Sequence, residues 1–256
     1  MRLFPRILFM FSICSLLTVP LFSQENTASE RDKPRVLILG DSISIGYTPV
    51  VQELLKEEAV VLRPTRTNPK TKKTANENCA GTNNGVKNID RWLKLDGGNW
   101  DVIHFNFGLH DLKRVDPKTG ANSNNPDDPH QADPETYEKQ LREIVGKLKK
   151  TGAKLIFATT TPYPAGVQPH RDIEDVKRYN EIALKIMREN EIAVNDLYSV
   201  ILPRLKELQR PVNVHFTPEG SKVLGEEVAK QIRDALFLKR NLGSRQTPHS
   251  RKCSLV

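Results

Sequence analysis

Short apolar runs alternate with amphipathic stretches along this chain. Residues 36–39 (Val-Leu-Ile-Leu) form an uninterrupted apolar run of strand length, the pattern of a strand covered on both faces. Residues 59–62, 102–107, 154–159 and 192–195 read as four further strands. Between them the apolar positions recur at helical spacing. A helix is expected over about 47–57 (Val50, Val51, Leu54, Leu55) and another over 85–95, with Val86, Ile89, Trp92 and Leu93 on one face. Others are expected over 135–150, 172–189, 199–209 and 218–238, the last capped by Thr217. Residues 63–83, 113–134 and 160–171 are polar or punctuated by proline and read as loops. Residues 212–216 read as a short extended piece. Strand–helix alternation predicts an α/β fold, a three-layer α/β/α sandwich around a central five-stranded parallel sheet.

The ends differ from the middle. Met1 to Arg6 is basic, and residues 7–22 are apolar and contain Pro20. This arrangement predicts a secretory signal over 1–23, hence an exported protein, periplasmic or extracellular. Residues 24–34 form a linker, 35–238 one domain, and 239–256 a basic tail without apolar periodicity, expected to be disordered.

Charge needs the same division. The formal +8 includes Arg2 and Arg6 in the signal, and Lys239, Arg240, Arg245, Arg251 and Lys252 in the tail, which leaves +1 for residues 24–238. The pI of 9.4 therefore does not imply a nucleic-acid surface. Cys14 lies in the signal, and pairing Cys79 with Cys253 would tie a core loop to the tail, so no disulfide framework is expected. The terminal Cys253-Ser-Leu-Val256 matches a prenylation box, but prenylation is cytosolic and the leader points to export.

Polar residues capable of chemistry cluster at strand ends, where open α/β sheets bind ligands. The first strand runs into Gly40-Asp41-Ser42, at the start of a helix whose free N–H groups favour negative charge. The third runs into Gly108-Leu109-His110-Asp111. A loop segment, Asn78-Cys79-Ala80-Gly81-Thr82-Asn83, precedes a helix, and Val214-His215-Phe216-Thr217-Pro218 precedes the last one. Ester cleavage needs a serine, a base of suitable pKa and donors aimed at the oxyanion. Ser42, His215, and the N–H groups of Ser42, Gly81 and His110 fit that need. Taken alone, Ser42 also reads as a helix cap, His110 as a loop histidine held by Asp111, and Gly81 as a turn glycine.

Taken together, these four blocks resemble the SGNH or GDSL-type hydrolases, over residues 35–238. The resemblance implies a flavodoxin-like fold and metal-free, cofactor-free hydrolysis of esters or thioesters. It implies Ser42 as nucleophile, His215 as base, and Ser42, Gly81 and His110 as the oxyanion hole. Asp41, Asp111 and Asn213 are expected to support the site, Asp41 by fixing the turn. The chain departs from the family pattern twice. His110 stands where the family usually has Asn. Val212 stands three residues before His215, where the family usually has Asp, and Asn213 on an extended segment would face away. A Ser–His dyad, an acid from elsewhere or a backbone carbonyl are the open replacements.

The expected activity is a serine esterase acting on a small-molecule or glycan ester, with O-acetyl groups on carbohydrate favoured by export and by polar, Asn-rich loops. No nucleic-acid partner is expected, and no membrane association after signal cleavage; oligomeric state is left open. Two rivals follow from the departures: a non-catalytic glycan-binding protein, supported by Val212, and a metal-dependent hydrolase using His110, Asp111 and the acidic loop. Among the remaining residues, His104 reads as a core histidine and Cys79 as packing. Asp127, Asp128, His130 and Asp133 read as solvated loop groups, with cation binding as the alternative. Lys70, Lys72 and Lys73 read as a solvated basic loop, with attraction of an acidic glycan as the alternative.

Overall fold

A computed structural model describes residues 33–244, with side chains described as far as Leu238. The expected signal over 1–23, most of the linker, Cys253 and residues 245–256 lie outside the described residues.

Five strands build one parallel sheet: β1 (Arg35–Leu39), β2 (Val60–Leu62), β5 (Val102–Phe105), β6 (Lys154–Ala158) and β7 (Ala193–Asn195), in the order β2-β1-β5-β6-β7. Strand β1 is flanked by β2 and β5, with Val36 opposite Val102 and Leu39 opposite Phe105. The order reverses direction at β1 and β5, and the crevice above such a switch point is where α/β sheets hold ligands. The expected α/β/α sandwich and its five parallel strands are therefore present.

Alternation along each strand divides two cores. Leu37, Leu39, Ile103, Phe105 and Phe157 pack on one face with Trp92, Leu141 and Ile186. Those last residues come from α2 (Thr82–Leu93), α3 (Pro134–Lys149) and α4 (Asp175–Glu189). Val36, Ile38, Val102 and Ile156 point the other way, toward Val51, Ile201 and Val228. These belong to α1 (Ser42–Leu55), α5 (Leu197–Ile201) and α7 (Pro218–Ser244). Each fully buried large apolar side chain contributes about 1.5–3 kcal/mol, so both faces of the sheet are firmly covered.

Several boundaries differ from the sequence reading, each for a local reason. Helix α1 starts at Ser42 rather than near 47, because Asp41 caps it: its Oδ1 accepts the Ile43 N–H at 2.9 Å. The third strand of the sheet stops at Phe105, and α4 begins at Asp175. The single helix expected over 199–209 is α5, a 3₁₀ turn (Leu202–Arg204) containing Pro203, and α6 (Leu205–Leu208). Residues 63–83 are not wholly a loop: β3 (Thr65–Thr67) and β4 (Thr74–Asn76) pair as an antiparallel hairpin. All six of its strand residues are exposed, so no apolar alternation marked it. Helix α7 continues to Ser244 rather than ending at 238, with no glycine or proline between Leu238 and Gly243 to stop it; residues 239–244 of the expected tail are thus helical. Among the described residues no helix is long and apolar enough to cross a membrane.

Candidate active site

Ser42 is the first residue of α1, at the carboxyl end of β1. Its Oγ lies 2.8 Å from His215 Nε2, although the two are far apart in sequence. On the other side of the ring, His215 Nδ1 lies 2.7 Å from Asn213 Oδ1. The backbone N–H of His215 donates to the same Asn213 atom at 2.9 Å. An amide N–H requires an acceptor, so that atom is the carboxamide oxygen and His215 Nδ1 carries the ring hydrogen. Nε2 is then bare and takes the Ser42 hydroxyl proton in its hydrogen bond.

Asn213 therefore does not face away, as an extended segment would require. Residues 212–215 turn instead, with Val212 at φ +48°. A β-branched residue in the left-handed region costs roughly 1–2 kcal/mol. Val212 is 62% exposed and projects into solvent, while Asn213 swings in beneath the imidazole. The position three before His215 is vacated, and the position two before it supplies the orienting oxygen. The glycan-binding alternative loses the support it drew from Val212.

His215 is held below the ordinary histidine range by partial burial, and further by the Arg210 and Arg171 guanidinium groups. It is thus neutral at pH 7 and able to accept a proton. His110 is pushed down to about 3, first by burial, then by Lys113, Arg171 and His215. It is a neutral ring with one N–H to donate.

Ser42, His110 and His215 line one cleft of about 270 Å³, together with Asn78. Gly81 does not line that cleft. It is the N-cap of α2, in the same loop as the cleft-lining Asn78, and its N–H and that of Ser42 donate to no protein acceptor among the described residues, which leaves both available to an oxyanion. A Cβ on Gly81 would sit 2.7 Å from both Asp111 Oδ1 and Gln131 Nε2, so only glycine lets the loop approach this closely. Asp111 is fully buried and turned away from the cleft. Its Oδ1 accepts the Thr82 N–H at 2.7 Å and the Thr82 hydroxyl at 2.6 Å, so the loop after β5 caps α2. Burial pushes this carboxyl up to about 7. Asp41 is likewise buried, with its carboxyl raised by burial.

The sequence reading missed Arg63. It is 6% exposed and reaches four acceptors: Ser44 Oγ, Thr48 Oγ1, and the carbonyls of Gly40 and Glu77. It ties the start of α1 to the loop carrying Asn78 and Gly81. Nothing in the sequence distinguished it from its basic neighbours. Arg171 and Lys113, which line the cleft, were missed for the same reason.

The chain matches the model of the GDSL-like lipase/acylhydrolase family over residues 38–223. It belongs to that family. This GDSL-like acylhydrolase is an ester-hydrolysing enzyme, as the family and the Ser42–His215 geometry together require. Its fold is similar to that of a lipase/acylhydrolase from Enterococcus faecalis, with TM-score 0.60, 21% identity, and coverage of 78% of this chain and 96% of that one. An acetyl xylan esterase is similar at TM-score 0.57 and 18% identity, with 77% and 99% covered. An acetyl-xylooligosaccharide esterase from Geobacillus gives TM-score 0.57 and 18% identity, with 78% and 94% covered. Among curated proteins, none matches the chain in sequence.

The remaining sequence candidates of this acylhydrolase lie elsewhere. His104 is fully buried, 3.3 Å from the Asn195 amide nitrogen and edge-on to Tyr47. Cys79 is a buried free thiol pushed up to about 12 by burial, which makes it inert as a nucleophile. Asp133 caps α3, accepting the Thr136 N–H at 2.8 Å. His130 pairs with Asp175 at 2.6 Å, and Arg114 bonds both His130 and Asp172, so a guanidinium already balances that acidic group. Among the described residues His110 and Asp111 are not part of a group of three potential ligands; His130, Asp172 and Asp175 are the one such group.

Proposed function

We propose that this protein is an exported serine esterase that removes small acyl groups, acetyl foremost, from carbohydrate. The 2.8 Å contact between Ser42 Oγ and His215 Nε2 carries the catalytic part of this reading. Ser42 attacks the ester carbonyl as Nε2 takes its proton. The imidazolium that forms keeps its Nδ1–H on Asn213. Negative charge develops on the carbonyl oxygen, where the Ser42 N–H, the Gly81 N–H and the His110 ring N–H stabilise it. His215 then protonates the leaving alcohol, water attacks the acyl-serine with His215 again as base, and the acid departs.

The substrate part rests on the cleft and on the leader. A space of about 270 Å³, with Leu109, Pro169 and Val214 as its apolar lining, suits a short acyl group on a polar alcohol better than a long chain. Two of the structural neighbours are described as esterases of acetylated xylan or xylooligosaccharide, which favours the same class. The basic and apolar residues of 1–23 support export.

The test is intact-mass spectrometry after treatment with a fluorophosphonate, with Ser42→Ala beside it and p-nitrophenyl acetate as reporter. The reading expects one adduct and turnover in the wild type, and neither in the variant. A folded wild type that gives no adduct and no turnover sinks it.

A further inference from the structure

The cleft around Ser42 and His215 holds two cationic side chains from different loops, Lys113 and Arg171, and no acidic residue lines it. Both are nearly buried, at 9% and 6% exposure. Arg171 donates to the carbonyls of Leu109 and Pro169, each at 3.0 Å, and both acceptors are neutral. Among the described residues neither cation forms an ion pair, and the Lys113 ammonium makes no side-chain hydrogen bond. Burial and the neighbouring Arg171 disfavour the charge on Lys113, outweighing the buried Asp111 carboxyl that favours it.

Two like charges, largely desolvated, without a direct ion pair and compensated only at a distance by the buried Asp111 and Asp41 carboxyls, are an unfavourable arrangement for the free protein. The arrangement becomes favourable once an anion enters the cleft, since charge-assisted bonds in a shielded site are the strong ones. A guanidinium offers a planar fork and an ammonium a point charge, a pairing suited to a carboxylate or sulfate. Neither cation stands in the serine–histidine line, so the anion belongs to a part of the substrate remote from the scissile bond.

We propose that Lys113 and Arg171 form a subsite for an anionic group on the sugar half of the ester, so that the enzyme prefers acyl esters of acidic sugars. This deepens the esterase reading and rests on it. The groove beside the β3–β4 hairpin meets the cleft at Asn78, and Arg66 and Lys73 line it. Glu77 in that groove is shared between Arg91 at 2.7 Å and Arg66 at 3.4 Å, so one carboxylate faces two guanidinium groups. An acidic chain extending from the cleft thus meets further positive charge.

The experiment compares kcat/KM of the full-length enzyme on O-acetylated galacturonate, its neutral methyl ester, and O-acetylated galactose sulfate, with p-nitrophenyl acetate as the uncharged reporter. An anionic substrate is expected to exceed the methyl ester by about tenfold or more. The carboxylate and sulfate arms decide which anion the fork fits. In Lys113→Met the ratio of anionic to neutral substrate falls toward one, and Lys113→Arg restores part of it. Turnover of p-nitrophenyl acetate with no preference for either anion overturns the inference and leaves the esterase reading standing. No turnover of any ester overturns both. If Lys113→Met does not fold, the wild-type ratio alone decides.

Discussion

Asn213 holds His215 from below: its single carboxamide oxygen accepts both the ring Nδ1–H at 2.7 Å and the backbone N–H at 2.9 Å. A neutral amide thereby does the orienting work that a carboxylate does in an ordinary triad. It fixes the tautomer but supplies no charge to the imidazolium.

Replacing that oxygen separates the two contributions. Asn213→Ala removes orientation, and a hydrogen bond to a charged partner is worth about 1.5–3 kcal/mol, so kcat is expected to fall about 10–100-fold. Asn213→Asp keeps the acceptor and adds charge, so kcat is expected to rise. Steady-state kinetics on p-nitrophenyl acetate checks both. An aspartate variant slower than the alanine variant would contradict the assignment.

The pH profile follows from the same residue. His215 works as a base only when neutral, and its environment holds it below the ordinary 6.5. The acid limb of the wild-type kcat/KM profile is expected to have its midpoint below pH 6.5, where the lowered pKa is crossed. In Asn213→Asp the carboxylate favours the imidazolium, so the acid limb moves to higher pH. A pH–rate profile of the two proteins reads the shift.

Gly81 carries a steric prediction. The methyl of Gly81→Ala would stand 2.7 Å from Asp111 Oδ1 and Gln131 Nε2, neither of which is a free surface group. The loop must move, taking its N–H from the oxyanion position, and loss of one such donor costs about 10²–10³ in kcat. Ser42 should still label with a fluorophosphonate, more slowly, because its contact with His215 is untouched. A variant with wild-type kcat would remove Gly81 from the oxyanion hole.

Arg63 is expected to matter for both stability and turnover. Arg63→Met leaves the Glu77 carbonyl without its partner, while the Gly40 carbonyl keeps the Cys79 N–H and the Ser44 and Thr48 hydroxyls keep the carbonyls they donate to. At about 1–3 kcal/mol for a buried group left unsatisfied, a loss of about 1–3 kcal/mol is expected in urea unfolding. Since Arg63 joins the Ser42 turn to the Asn78–Gly81 loop, kcat of the folded fraction should fall as well. An unchanged urea midpoint would show that water replaces the guanidinium.

Much of this was legible from local pattern. The run 36–39 specified β1, since four consecutive apolar residues need cover on both faces. Ser42, His215, His110, Gly81 and Asp111 were legible because each stands at the end of an apolar strand or just before a helix. The hairpin of β3 and β4 was not, since Thr65, Arg66, Thr67 and their partners are exposed and show no alternation. Pro203 broke one expected helix into two short ones, an effect the helical spacing alone concealed.

The chain by itself determined the layers and the parallel sheet and singled out Ser42 and His215 as candidate nucleophile and base, because hydrophobic period and strand-end chemistry are local properties. Tertiary structure decided the rest. The orientation of Asn213 depends on one dihedral angle at Val212, which no propensity foretells for a β-branched residue. The roles of Arg63, Lys113 and Arg171 depend on burial and on the absence or presence of counter-charges from distant segments. A basic residue in the sequence is only a charge; whether it holds a loop, faces a cleft or meets water is fixed by what the fold brings beside it.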